Sequence, residues 1–154
     1  MSEPASGRLI DPRGHRFGAA TSVLILAAAY LLNQPLVVAL IALALGISAA
    51  FGTRYSVLGR PWPLVRRALR LGPPAELEAE FPPRFAQALG SIGLGFALLA
   101  FLIGIPLLGW LVTGAIVTLQ AILALTGYCL GCRLYFLRWW LPAAFQRLVS
   151  AQRS

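Results

Sequence analysis

Two long stretches of this chain contain no charged side chain and no histidine, and they limit the possible fold more than any other feature. They cover residues 17–53 and 85–132, and they separate three charged segments. Apolar residues make up 58% of the chain and charged residues only 12%, and the mean hydropathy is +0.77. Because a soluble domain of 154 residues cannot bury so much apolar surface, the sequence predicts an integral membrane protein.

Each uncharged stretch is long enough for two membrane-spanning helices. A helix crosses the hydrocarbon core in about 20 residues, because each residue adds ~1.5 Å. The polar turn Asn33-Gln34-Pro35 divides the first stretch, and residues 106–109 divide the second with a proline and a glycine. The sequence therefore predicts a single all-α membrane domain with four transmembrane helices in two hairpins, at residues 17–32, 36–51, 86–105 and 110–128.

The positions of the arginines predict the orientation in the membrane. They occur before the first hairpin, between the hairpins and after the second hairpin. Four spans place these three segments on the same side, and the positive-inside rule makes that side cytoplasmic. We therefore expect a multi-pass protein of the cytoplasmic (inner) membrane whose N- and C-termini both lie in the cytoplasm.

The segments at residues 52–84 and 133–154 combine arginines with apolar and aromatic side chains. This pattern predicts amphipathic helices at the cytoplasmic membrane interface, with the lipid bilayer as their partner. Because the positive charges flank the spans, nucleic-acid binding is the weaker explanation of the net charge of +8. Small residues such as Gly127 and Gly131 allow close helix packing, either within one chain or in a homo-oligomer.

Cys129 and Cys132 are the only cysteines, and they form a C-x-x-C motif. This spacing is compatible with a disulfide and can lower the pKa of the first thiol, and Arg133 would favour its thiolate. A permanent disulfide is not expected on the cytoplasmic side, where thiols are kept reduced. The motif therefore predicts catalytic cysteines for thiol-disulfide exchange or persulfide transfer; two inert packing cysteines are the alternative.

The residues of conventional catalytic and metal sites are missing from the sequence. His15 is the only histidine, and no serine or cysteine close to it in the chain suggests a triad. A zinc site takes about four ligands, so one chain is not expected to build a Cys/His site without carboxylates or a second subunit. No glycine-rich phosphate loop follows a strand pattern, and we predict no cofactor.

Three short motifs resemble the domain of unknown function 4395 family. They are Ile10-Asp11-Pro12-Arg13-Gly14-His15-Arg16-Phe17, Pro83-Arg84-Phe85-Ala86-Gln87 and Gly127-Tyr128-Cys129-Leu130-Gly131-Cys132. The resemblance spans nearly the whole chain. It implies a small prokaryotic membrane protein whose relatives often occur beside thioredoxin-like or rhodanese-type sulfurtransferase genes. It also implies functional roles for the two cysteines and for the arginines at positions 13, 16 and 84.

All motif residues lie at the expected cytoplasmic interface, so helix packing could bring them together. We expect guanidinium groups there to bind a sulfur oxyanion or to stabilise a thiolate or persulfide; anchoring at lipid headgroups is the alternative. The expected function is a thiol-disulfide or persulfide relay with a cytosolic thioredoxin-like protein or rhodanese-type sulfurtransferase. A transporter or channel component for a small sulfur species and a non-catalytic scaffold are the other candidates. The predicted binding residues are Arg13, Arg16, Arg84, Gln87 and Arg133.

Overall fold

A computed structural model describes residues 8–135 and residue 137, and 75% of this part of the chain is helical. This confirms the predicted all-α fold class, but not the number of membrane spans. A single ladder, which the sequence did not predict, pairs Leu9 with Ala79 and Ile10 with Glu78 in antiparallel register. The helices are α1 (Pro12–Leu31), α2 (Pro35–Phe51), α3 (Trp62–Ala68), α4 (Phe81–Leu102) and α5 (Pro106–Thr126), with a 3-10 turn at Thr53–Tyr55.

Prolines begin most of these helices. Pro35 and Pro106 stand in the first turns of α2 and α5, where a missing N–H costs nothing because that group has no partner within the helix. For the same reason α4 begins at Phe81, ahead of the predicted residue 86, and includes Pro82 and Pro83 in its first turn. Likewise α5 begins at Pro106 and not at residue 110, because a proline at this position starts a helix without breaking one.

The four long helices form a closed bundle. Helix α1 packs against α2 and α5, and α4 packs against the same two helices from the other side. The core between them consists of apolar side chains from successive turns, among them Leu26 of α1, Val38 and Ile41 of α2, and Leu94 and Ala97 of α4. The polar side chains of Ser48 and Gln87 are also buried, and they hydrogen-bond to each other between α2 and α4.

The outer surface of this bundle is apolar. Leu31, Leu102 and Leu125 are each about 80% exposed, and many other leucines lie on the same outward faces. Helices α4 and α5 are long and apolar enough to cross a membrane, and only 28% and 17% of their most apolar segments are buried within the chain. Helix α2 is apolar but shorter. Residue 136 and residues 138–154 of the predicted interfacial tail lie outside the described part of the chain.

Candidate functional site

The two cysteines lie directly after the last long helix. Helix α5 ends at Thr126 and is followed by Gly127, which adopts a left-handed conformation (φ 74°) that favours glycine. The backbone becomes helical again at residues 130–135, which we call the post-cysteine helix. Cys129 and Cys132 are joined by a disulfide, with their Cα atoms 5.2 Å apart. The C-x-x-C motif therefore occupies a sharp connection between two helices.

Cys129 caps the start of the post-cysteine helix. Its Sγ accepts a hydrogen bond from the backbone N–H of Cys132 at 3.2 Å, and its carbonyl oxygen accepts one from the N–H of Arg133 at 3.1 Å. These are the contacts of a residue in the N-cap position. An N–H aimed at the sulfur stabilises a negative charge on it, so the geometry favours Cys129 as the thiolate when the pair is reduced.

Gly131 allows the post-cysteine helix to lie against α4. A Cβ at this position would come within 2.7 Å of the Cβ of Ala86, which is closer than two carbon atoms can approach. Only glycine fits without a shift of the backbone. The middle of the C-x-x-C motif therefore contributes to the packing that holds both cysteines in place.

His15 lies beside the disulfide, and sequence reasoning did not associate it with the cysteines. A ring nitrogen of His15 and the sulfur atoms of Cys129 and Cys132 all lie within 4.8 Å of one another. The Nε2 atom is shielded from solvent and has no hydrogen-bond partner within the described residues. His15 precedes the predicted first span, and burial lowers its pKa from 6.5 to about 4, so the ring is neutral near pH 7. His15 and Cys129 are 114 positions apart in the chain, so no local sequence pattern indicated that they are close in space.

Arg16 connects the helix that carries His15 to the end of α5. Its Nε and Nη2 donate to the carbonyl oxygen of Ala124 at 3.3 and 3.1 Å, and Nη2 also donates to that of Leu125 at 3.2 Å. The last carbonyls of a helix have no partner within it, so a guanidinium is a suitable donor. Arg16 therefore positions α1 against the segment that leads to the cysteines.

A cavity of about 600 Å³ opens beside the disulfide. Arg13 lines this cavity and is also bound to Pro73, whose carbonyl oxygen accepts from its Nη2 at 2.8 Å. The guanidinium carbon of Arg133 lies 5.2 Å from the ring centroid of Tyr128, at cation–π distance. The cavity is thus predominantly basic next to the sulfur atoms. Its charged, aromatic and sulfur-bearing lining comprises Arg13, His15, Arg16, Glu78, Tyr128, Cys129, Cys132 and Arg133.

A smaller cavity of about 140 Å³ lies on the bundle side of the motif. His15 and Cys129 line it, together with Gln87 and Gln120 and mostly apolar side chains. Gln87, a predicted binding residue, accepts a hydrogen bond from the Ser48 hydroxyl. Gln87 therefore shares this inner cavity with Cys129 and does not belong to the described lining of the basic cavity.

Arg84, the remaining predicted binding residue, lies elsewhere. Its Nε donates to the carbonyl oxygen of Ala49 at 3.0 Å and its Nη2 to that of Ala50 at 2.8 Å, at the last turn of α2. Arg84 does not belong to the described lining of either cavity beside the cysteines. The structure thus places Arg13, Arg16 and Arg133 around the basic cavity and gives Arg84 a contact with the end of a helix.

Asp11 forms a polar cluster next to this site. Its carboxylate accepts from the backbone N–H of Arg13 at 2.9 Å and caps α1, and it also accepts from the indole N–H of Trp62 at 3.2 Å. The guanidinium of Arg66 lies 3.6 Å from the same carboxylate. These contacts fix the start of α1 against α3. The sequence analysis did not predict these contacts with α3.

Residues 10–139 match the model of a family described as a domain of unknown function, DUF4395. No curated protein and no solved structure matched the chain.

Proposed function

The chain belongs to the DUF4395 family, described as a domain of unknown function, and we propose that it is a membrane-embedded thiol-disulfide relay. One observation carries the proposal: the Cys129–Cys132 disulfide lies beside a basic cavity, and its first sulfur accepts a backbone N–H. A disulfide next to an open cavity can be attacked by an external thiolate, whereas one enclosed in a core cannot.

The apolar outer surface of the bundle supports a membrane location. Exposed leucines lie on the outer faces of the four long helices. A lipid bilayer would cover this apolar surface, whose exposure to water is unfavourable. We propose that residues 17–32, 36–51, 86–105 and 110–128, which belong mainly to α1, α2, α4 and α5, are the four spans, in two hairpins with both termini in the cytoplasm. In this orientation the cysteines and the basic cavity lie at the cytoplasmic interface of the inner membrane.

The proposed exchange begins with the reduced pair. The Cys129 thiolate attacks a substrate disulfide, a mixed disulfide forms at Cys129, and one substrate thiolate leaves. The Cys132 thiolate then attacks the Cys129 sulfur, the internal disulfide forms, and the second substrate thiolate leaves. Two electrons pass to the substrate, and an external dithiol of a cytosolic thioredoxin-like protein restores the pair by the reverse steps.

Persulfide transfer would use the same two cysteines. A donor persulfide, such as that of a rhodanese-type sulfurtransferase, would pass its outer sulfur to the Cys129 thiolate and leave as a thiolate. Attack by the Cys132 thiolate on the Cys129 sulfur would then release hydrosulfide and form the internal disulfide. Arg13 and Arg133 would stabilise the anions in both versions, because they line the cavity that an incoming sulfur group must enter.

The test measures exchange directly on the full-length protein in lipid nanodiscs. The protein is equilibrated with mixtures of reduced and oxidised dithiothreitol, quenched in acid, labelled with a maleimide mass tag and weighed intact. We expect molecules with either no tag, which are the disulfide form, or two tags, which are the dithiol form. The fraction of the dithiol form should follow a two-electron redox curve with a single midpoint potential. With oxidised glutathione, Cys132→Ser should form a mixed disulfide at Cys129 at least about tenfold faster than Cys129→Ser does at Cys132.

Other outcomes would favour the other functions. Cysteines that stay unlabelled until the reduced protein is denatured would be packing residues, and the relay would be rejected in favour of a scaffold. Flux of thiosulfate into proteoliposomes that persists in the double variant Cys129→Ser/Cys132→Ser would indicate transport. A tag pattern that changes with a persulfide donor but not with a disulfide would select the sulfur-transfer version.

A further inference from the structure

The cluster of His15, Cys129 and Cys132 has a second possible chemistry. Two sulfur atoms and one imidazole nitrogen within 4.8 Å of one another are a donor set suited to thiophilic metal ions. We propose that the reduced pair and His15 together bind one d¹⁰ cation, Zn²⁺ or Cu⁺, and that formation of the disulfide excludes it. This proposal does not depend on thiol exchange with a partner.

The geometry needs only small movements. Zinc binds thiolates at about 2.3 Å and imidazole at about 2.0 Å, so its ligand atoms lie roughly 3.5–4 Å apart. A ring nitrogen of His15 lies within 4.8 Å of both sulfur atoms, in the region where α1 meets the post-cysteine helix. Opening of the disulfide lets the sulfur atoms separate to the distance that the cation requires.

The Nε2 atom of His15 is an independent indication of a ligand. It is shielded from solvent and has no partner among the described residues, whereas buried polar atoms normally have one. A bound cation would satisfy a neutral imidazole nitrogen. The three guanidinium groups at the basic cavity do not prevent this, because two thiolates neutralise a divalent cation locally.

The chemistry balances in two steps. Reduction gives the Cys129–Cys132 disulfide two electrons and two protons and yields two thiols. The reductant is oxidised in the same step: a phosphine takes the oxygen of water and becomes the phosphine oxide, and a dithiol becomes a disulfide. Binding of Zn²⁺ then releases the two thiol protons. Three protein ligands leave the fourth position of a tetrahedral site open to water or to a thiolate that enters the cavity. The metal-bound and disulfide forms are therefore mutually exclusive.

The experiment titrates Co²⁺ and then Zn²⁺ into full-length protein in nanodiscs, after reduction with a phosphine and without oxygen. We expect one equivalent of Co²⁺ to produce thiolate-to-cobalt charge-transfer bands and tetrahedral d–d bands, and Zn²⁺ to displace it. His15→Gln should weaken Zn²⁺ binding at least about tenfold, and His15→Cys should restore it because a thiolate replaces the imidazole. Cys129→Ser and Cys132→Ser should each abolish the tetrahedral spectrum.

Two results would overturn the site. One is a reduced wild-type protein that shows no charge-transfer band. The other is a His15→Gln variant that binds Zn²⁺ as tightly as the wild type, which would leave His15 without a role. Gel filtration of each variant distinguishes loss of a ligand from loss of the fold, and the His15→Cys variant tests the site even if His15→Gln unfolds. The oxidised wild-type protein is the matched control and should not bind.

Discussion

Arg16 donates two hydrogen bonds to the carbonyl oxygen of Ala124, from Nε at 3.3 Å and from Nη2 at 3.1 Å. These residues are 108 positions apart, one near the start of α1 and the other in the last turn of α5. Because His15 immediately precedes Arg16, the contact also holds His15 near the cysteines that follow α5. A single arginine thus links the packing of the bundle to the geometry of the candidate site.

Replacement of Arg16 should therefore affect both stability and the site. We expect Arg16→Gln to lower the free energy of unfolding by about 1–3 kcal/mol, because hydrogen bonds from a charged donor are lost. Thermal unfolding in detergent micelles measures this change. Arg67→Gln is the matched control, because Arg67 is exposed on α3, and it should have little effect. Equal losses in the two variants would contradict a specific role for Arg16.

Gly131 provides a second test of the packing around the cysteines. We expect Gly131→Ala to cost about 1–3 kcal/mol, because the new methyl group would overlap Ala86 and push the post-cysteine helix away from α4. Gly114→Ala is the control within α5, because a Cβ there meets no atom within 4 Å. The control should be neutral or stabilising by up to about 1 kcal/mol, since alanine favours a helix more than glycine does.

A compensating change makes the Gly131 prediction sharper. Ala86→Gly removes the methyl group that would clash, so the double variant Gly131→Ala/Ala86→Gly should recover part of the lost stability. The rate at which maleimide labels the reduced cysteines should follow the same order. It should differ most from the wild-type rate in Gly131→Ala and less in the double variant. No recovery in the double variant would mean that contacts other than Ala86 require a glycine at position 131.

The sequence predicted those parts of the fold that depend on local patterns. The apolar stretches and the turn at Asn33-Gln34-Pro35 correspond to the helices of the bundle and to the break between α1 and α2. Helices α4 and α5 begin five and four residues before the predicted spans, because a proline can stand in the first turn of a helix without breaking it. Membrane insertion through four spans remains a prediction.

The candidate site was only partly predictable, because its residues come together through packing between distant segments. The C-x-x-C spacing identified the cysteines, and the first motif contained Arg13 and Arg16. The position of His15 beside the sulfur atoms depends on how α1 rotates against α5, which no local pattern encodes. That His15 is the only histidine, in a motif next to two arginines, was the one available signal. Arg84 was predicted as a binding residue from the second motif, in the same way as Arg13 and Arg16 from the first, yet its guanidinium binds the end of α2.

The burial of His15 predicts a pH dependence of stability in the oxidised, metal-free protein. Its pKa is about 4 in the folded chain and 6.5 in the unfolded chain, so between these values only the unfolded state takes up the proton. The free energy of unfolding should therefore fall as the pH drops from about 6.5 to about 4, by roughly 3 kcal/mol in total. Above pH 6.5 the ring is neutral in both states and contributes no slope.

The measurement compares denaturant unfolding of the wild type and of His15→Gln across this range. The other titratable groups are the same in both proteins, so the difference between their stabilities isolates the contribution of the histidine. We expect the wild type to lose more stability than the variant as the pH falls. Parallel curves would show that His15 takes up a proton in the folded protein as readily as in the unfolded one.

The arginines around the basic cavity predict a charge preference for the thiols that reduce the disulfide. Arg13 and Arg133 line the cavity beside Cys129 and Cys132, so an anionic thiol should be attracted and a cationic one repelled. The measured quantity is the rate of reduction by glutathione divided by the rate of reduction by cysteamine. We expect this ratio to be about three- to tenfold higher in the wild type than in Arg133→Gln. Stopped-flow mixing followed by acid quenching and maleimide tagging measures both rates.

Two controls separate this electrostatic effect from a structural one. Arg84→Gln removes the same charge at the end of α2, outside the described lining of the cavity, and should leave the ratio of the two rates unchanged even if stability falls. Added salt should reduce the wild-type preference, because ions screen charges that are open to solvent. If Arg133→Gln and Arg84→Gln changed the ratio equally, the preference would arise from the overall charge of the protein. The cavity would then have no part in selecting the thiol.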